Sequence, residues 1–115
     1  MSVRYPLFAF GKDDSSICRI EQENDILGHL EAIDIANDEY VIWDANGNGV
    51  SIQVSVRSVK SELVGVTSCA PAFPICDAFR RCAEARGVSG FVQEETPQEM
   101  WDWFPKDRKS RWGRL

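Results

Sequence analysis

The chain has 115 residues, 43% of them hydrophobic and 27% charged, and a net charge of −5. This describes one domain with apolar content for a real core and argues against wholesale disorder. No apolar run approaches the roughly 18–20 residues of a membrane span, and the start Met-Ser-Val-Arg-Tyr-Pro has no apolar stretch or cleavage site of a secretory signal, so a cytoplasmic location is expected.

The opening segment alternates Val3, Tyr5, Leu7 and Ala9 with Arg4, Pro6, Phe8 and Phe10, a strand with apolar residues on both faces near its end. Gly11-Lys12-Asp13-Asp14 is a turn, and Ile17 to Ile20 is the returning strand of a hairpin. Asn24 is placed to cap a short helical turn whose apolar side is Ile26, Leu27 and Leu30. Ile33 and Ile35 alternate with Asp34 as a short strand, broken by Asn37-Asp38, residues that tolerate left-handed backbone. Tyr40-Val41-Ile42-Trp43 is a β-branched and aromatic strand covered on both faces. Asn46-Gly47-Asn48-Gly49 is the strongest hairpin signal in the chain. Ile52, Val54 and Val56 then alternate with polar residues, a strand with one wet face, and Leu63 to Val66 is one more strand.

After Thr67 the period changes. Ile75, Cys76, Phe79, Cys82 and Ala83 recur at helical spacing, with Pro74 at the start and Gly87 at the end, so a helix is expected over about 75–86. Thr96-Pro97-Gln98-Glu99 has the form of a capping box ahead of Met100, Trp101, Trp103 and Phe104, and Pro105 ends that short helix. The expected fold is α+β: an antiparallel sheet of about five strands, drawn from residues 3–67, with the 75–86 helix packed on its apolar face and a short C-terminal helix. Ile33, Ile35, Ile42, Ile52, Val54, Val64, Val66, Phe79 and Cys82 are the expected core. Residues 1–105 form the domain and 106–115 a basic tail.

Charge patterning carries the functional signal. From Glu21 to Asp44 there are eight carboxylates and no Lys or Arg. The tail Lys106, Arg108, Lys109, Arg111 and Arg114 stands against Asp107 alone, a sum of +4 that leaves −9 for residues 1–105. Such asymmetry concerns partners and association rates rather than fold. The tail mixes cations with Trp112, a composition that can bind nucleic acid by phosphate neutralisation and stacking. In a chain of net −5, docking of the tail on the acidic body of its own chain or of a neighbouring subunit, with Trp112 in an apolar groove, or disorder, is the stronger expectation, and nucleic acid is not the expected partner.

Motifs for catalysis and metal binding are incomplete. Asp44-Ala45-Asn46-Gly47-Asn48-Gly49 begins like a calcium loop, but its twelfth position is Ser55 where a bidentate glutamate is needed. Cys18, Cys69, Cys76 and Cys82 contain no Cys-x-x-Cys and are joined by one histidine, His29, so neither a zinc site nor a disulfide framework is expected. His29 and Cys69, the latter near a helix start, are the remaining candidates for chemistry, with the clustered carboxylates. No phosphate loop or nucleophile elbow is present, and no cofactor is expected.

In size, acidity and lack of catalytic motifs the chain resembles the small bacterial immunity proteins that neutralise toxins. The resemblance is one of general character across the whole chain and transfers no site residues. The reading from the residues is an interaction module that offers the acidic surface of residues 21–44, with Glu31, Asp34, Asp38 and Glu39, to a basic protein partner. Tyr40 and Trp43 would anchor the contact where they face outward. The alternative is a small enzyme built on His29, Cys69 or the carboxylates.

Overall fold

Leu7-Phe8-Ala9-Phe10 is an unbroken apolar run because both faces of its strand are covered, and β1 (Leu7–Gly11) is buried at every position. The computed structural model describes residues 2–57 and 60–103. After β1 come β2 (Ser16–Ile20), a 3-10 turn (Glu23–Asp25), α1 (Ile26–His29) and α2 (Ala32–Ala36). These are followed by β3 (Tyr40–Trp43), β4 (Gly49–Ser55), β5 (Glu62–Cys69), α3 (Ile75–Ala85) and α4 (Pro97–Trp103). The five strands form one antiparallel sheet in the order β2-β1-β3-β4-β5. The α+β architecture is the expected one. The basic tail and the helix stop at Pro105 lie outside the described residues. No helix among the described residues is long and apolar enough to cross a membrane.

The sheet divides two cores. Phe8, Phe10, Ile17, Val41 and Trp43 face α3 and α4, where they meet Ile75, Phe79, Cys82 and Met100. Leu7, Ala9, Cys18, Ile20, Ile42 and Val50 face the other way, onto Ile26 and Leu30 of the α1 region. Fully burying each large side chain contributes about 1.5–3 kcal/mol. Helix α3 buries Ile75, Ala78, Phe79, Cys82 and Ala83, the spacing of an apolar stripe on a 3.6-residue period. It ends in a Schellman motif: Gly87 takes φ +67°, its N–H bonds to the Glu84 carbonyl at 3.1 Å, and Val88 N–H bonds to the Ala83 carbonyl at 2.9 Å. The capping box of α4 is also in place, with Glu99 N–H donating to Thr96 Oγ1 at 3.2 Å and Thr96 N–H to Glu99 Oε1 at 3.0 Å.

Several expectations need correction. Residues 32–36 form helix α2, not a strand. The segment pairs with no strand of the sheet, and the helical turn satisfies its backbone internally: Ile35 N–H bonds to the Glu31 carbonyl at 3.1 Å and Asn37 N–H to the Ile33 carbonyl at 3.0 Å. The consequence is visible in the isoleucines. On a strand Ile33 and Ile35 would share a face; on a helix they point about 200° apart. Ile35 packs into the second core and Ile33 is 53% exposed. Val64, also expected inside, is 67% exposed, because a bulge opposite Gln53 and Val54 displaces it from the alternation. Ile42, Phe79 and Cys82 are buried as expected, while Ile52 and Val66 are half-buried beside the second core and Val54 is half-buried. The early helical turn has no side-chain cap from Asn24; its flanking residue is Gln22. The break at Asn37-Asp38 holds, with Asp38 at φ +59°.

A carboxylate cleft at the β1–β2 turn

Antiparallel pairing sets Gly11 opposite Tyr40, and Lys12 N–H donates to the Glu39 carbonyl at 3.0 Å. The β1–β2 turn therefore lies against the junction of α2 and β3. Between them is a cleft of about 260 Å³ lined by five acidic residues and His29. Asp13 and Asp14 come from the turn, Glu31 and Asp34 from the start of α2, and Glu39 from the approach to β3; Ser16 and Tyr40 complete the wall.

The turn that carries Asp13 and Asp14 is held in shape from two sides. Asp14 Oδ1 accepts from Ser16 N–H at 3.1 Å and Ser16 Oγ at 2.7 Å. Arg86, just past α3, donates through Nη1 to the Asp14 carbonyl at 3.2 Å and the Ser15 carbonyl at 3.3 Å. Lys12, the cation nearest in sequence, is turned to Asp38 instead, with Nζ 2.7 Å from the Asp38 carbonyl and 3.2 Å from Oδ2. The cleft is thus a concave space with acidic residues in its wall, sized for the end of a long side chain. Among the described residues no group of three His, Cys, Asp or Glu side chains is arranged to hold a metal ion.

The acidic stretch of residues 21–44 is not one surface. Glu31, Asp34 and Glu39 converge on the cleft, and Asp38 lines the neighbouring one. Glu21 is paired with Arg19 at 2.8 Å on another part of the molecule. Asp44 is 1% exposed and is used internally. Its Oδ1 accepts from Asn46 N–H at 2.9 Å and Asn48 N–H at 3.0 Å, and its Oδ2 from Arg4 N–H at 3.3 Å. The residues that resembled a calcium loop are a hairpin turn whose acid ligates backbone N–H groups.

Trp43 cannot anchor a partner. It is fully buried, its indole N–H donates to the Phe73 carbonyl at 3.1 Å, and the Phe73 ring lies edge-on at 5.5 Å. The period of β3 sends Trp43 and Val41 to the α3 face, leaving half-buried Tyr40 at the rim of the cleft. His29 and Cys69 are not brought together. Cys69 lines a separate cleft of about 380 Å³, where β3 and β4 part beyond Val50, so the thiol–imidazole pair of nucleophilic catalysis is not assembled. None of the four cysteines is in a disulfide. Burial pushes the Cys82 thiol up to about 12, against a smaller opposing pull from Arg86.

Asp13 and Asp14 were missed as site residues. Their turn is legible in sequence, but that it abuts Glu31, Asp34 and Glu39 follows only from the β1–β3 pairing. In comparisons with protein-family models, curated proteins and solved structures, the chain shows no significant match.

Proposed function

We propose that this protein is a non-enzymatic interaction module of the cytoplasm, whose carboxylate cleft receives a cationic side chain of a basic protein partner. The observation that supports this reading is the convergence of Asp13, Asp14, Glu31, Asp34 and Glu39, from three chain segments, on one concavity. Like charges held together cost stability unless a counter-charge offsets them, and a focused negative potential speeds encounter with a basic protein. Asp38 and Tyr40 extend the surface at its edge. The general likeness to immunity proteins makes a basic toxin, such as a nuclease, the partner class to look for. No cofactor, membrane or nucleic acid enters the proposal.

The test is capture from native cytoplasm with the wild-type chain and with a Glu31→Gln, Asp34→Asn, Asp38→Asn, Glu39→Gln variant. A basic protein should be retained by the wild type, elute with salt, and pass the variant. Equal retention by both would reduce the acidic surface to a solubility feature. A second reading rests on one observation: His29 stands in a concave site among carboxylates, an arrangement that acid–base chemistry uses. If His29→Ala leaves capture unchanged, the histidine plays no part in binding and the enzyme reading must stand on an activity assay of its own.

A further inference from the structure

The two edges of the sheet are finished differently. Edge strand β2 is buried at every position but Arg19, and that side chain is paired with Glu21. Edge strand β5 has eight residues and none of them is buried. Natural edge strands are kept from pairing with other chains by shortness, lysine, proline, a bulge or a covering element. β5 has a bulge at Val64, but beyond it Gly65 to Cys69 pair regularly with β4 and include no lysine or proline. From Leu63 to Cys76 the chain has no charged residue at all, although the whole carries −5.

Which backbone groups of β5 point outward follows from the ladder. Asp44 N–H bonds to the Asn48 carbonyl, and along an antiparallel strand successive residues bond to opposite neighbours. Asn48, Val50 and Ile52 therefore face β3, while Gly49, Ser51 and Gln53 face β5. Their register partners Cys69, Thr67 and Gly65 are used in that ladder. The N–H and carbonyl groups of Val66 and Ser68 turn the other way, where no strand pairs with β5 among the described residues. Such a row is satisfied by the backbone of another extended strand. An uncharged edge gives a basic partner nothing to grip, whereas β5 of a second copy is an uncharged extended strand by construction. We propose that two copies of this chain pair β5 with β5, antiparallel, about a two-fold axis at Thr67, the centre of the regular stretch. That register sets Val66 of each copy opposite Ser68 of the other, so the outward groups of both residues are used on both copies, and Thr67 meets Thr67 in a non-hydrogen-bonded pair. Both open edges are consumed and the assembly closes at two. The contact is one strand wide, smaller than the roughly 800 Å² per partner of a standard interface, so the dimer is a weak one. It uses none of the carboxylates of the cleft.

Sedimentation velocity over a range of concentrations tests it. The wild-type chain should approach twice its 13.0 kDa mass as concentration rises. Added salt should strengthen the dimer, because it screens the repulsion of two chains of net −5, the opposite of its effect on a basic partner. Thr67 is exposed, so Thr67→Lys and Thr67→Glu should both leave the fold intact by circular dichroism. Each puts like charges directly opposite one another at the axis and should dimerise about tenfold more weakly or worse. An equimolar mixture of the two should recover the dimer, since Lys then faces Glu. In the wild-type dimer the Val66 and Ser68 amides should exchange with solvent deuterium more slowly than in the Thr67→Lys monomer. A wild-type chain monomeric at every concentration up to about 1 mM, a dimer that survives Thr67→Lys, or a mixture that stays monomeric would each overturn the proposal. So would a monomer whose Val66 and Ser68 amides resist exchange, which would mean that another part of the same chain covers the edge.

Discussion

Replacing Asp44 by alanine removes both oxygens that hold the β3–β4 turn. Three backbone N–H groups, those of Arg4, Asn46 and Asn48, lose a charged acceptor. A hydrogen bond to a charged group contributes about 1.5–3 kcal/mol. All three donors belong to exposed residues, so water recovers part of the loss. Taking about 1 kcal/mol per bond gives about 3 kcal/mol in total. The main-chain bonds of the turn, Asp44 N–H to the Asn48 carbonyl at 2.9 Å and Gly47 N–H to the Asp44 carbonyl at 3.0 Å, remain and keep the figure from rising further. Against a total stability of about 5–15 kcal/mol this is a severe loss. In urea unfolding followed by tryptophan fluorescence, with buried Trp43 adjacent to the change, the midpoint should fall by about 2 M at a slope of about 1.5 kcal/mol/M. Asp44→Asn is the graded control. It keeps one acceptor oxygen for Asn46 and Asn48 and fails only at Arg4, for a loss of about 1 kcal/mol. Alanine tolerated to within about 1 kcal/mol, or asparagine as damaging as alanine, would refute this account of the turn.

Two further predictions concern packing and titration. A Cβ on Gly49 would stand 2.5 Å from the Cys69 carbonyl oxygen and 2.7 Å from Pro71 N, both backbone, so Gly49→Ala should cost about 1–3 kcal/mol, and unchanged thermal stability would show that the chain at residues 69–71 yields freely. Cys82 titrates at about 12 when folded against a reference of 9.0, so the unfolded thiol ionises first. Its contribution is complete below about pH 9 and is lost toward pH 12, at up to about 1.4 kcal/mol per pH unit. Cys82→Ala should therefore flatten the alkaline decline in stability relative to wild type, and parallel pH profiles for the two proteins would refute it; in the native protein exposed Cys69 should react with a thiol reagent well ahead of Cys82.

Where local chemistry decides structure, the sequence was sufficient. The stripe Ile75–Ala83, the αL glycine at 87 and the reciprocal bonds of Thr96 and Glu99 are interactions within a few residues, and each stands where its spacing placed it. The apolar run of β1 announced a strand covered on both faces, and the Asn-Gly pairs announced the turn before β4. Partner-dependent features were not legible. Ile33-Asp34-Ile35 fits an alternating strand and a single helical turn equally well, and only tertiary packing, which sets Ile35 against the second core and leaves Ile33 exposed, decided for the helix. Tyr40–Trp43 has apolar residues on both faces, and only the placement of α3 decided that Trp43 lies inside and Tyr40 at a rim. Eight carboxylates in a row of sequence read as a surface, yet one is sealed in a turn, another is paired elsewhere, and three meet two more from residues 13 and 14. Short-range patterns specify elements because their energies are local; a cleft is made by residues distant in the chain, and its membership is set by strand order and register, which long-range burial alone selects.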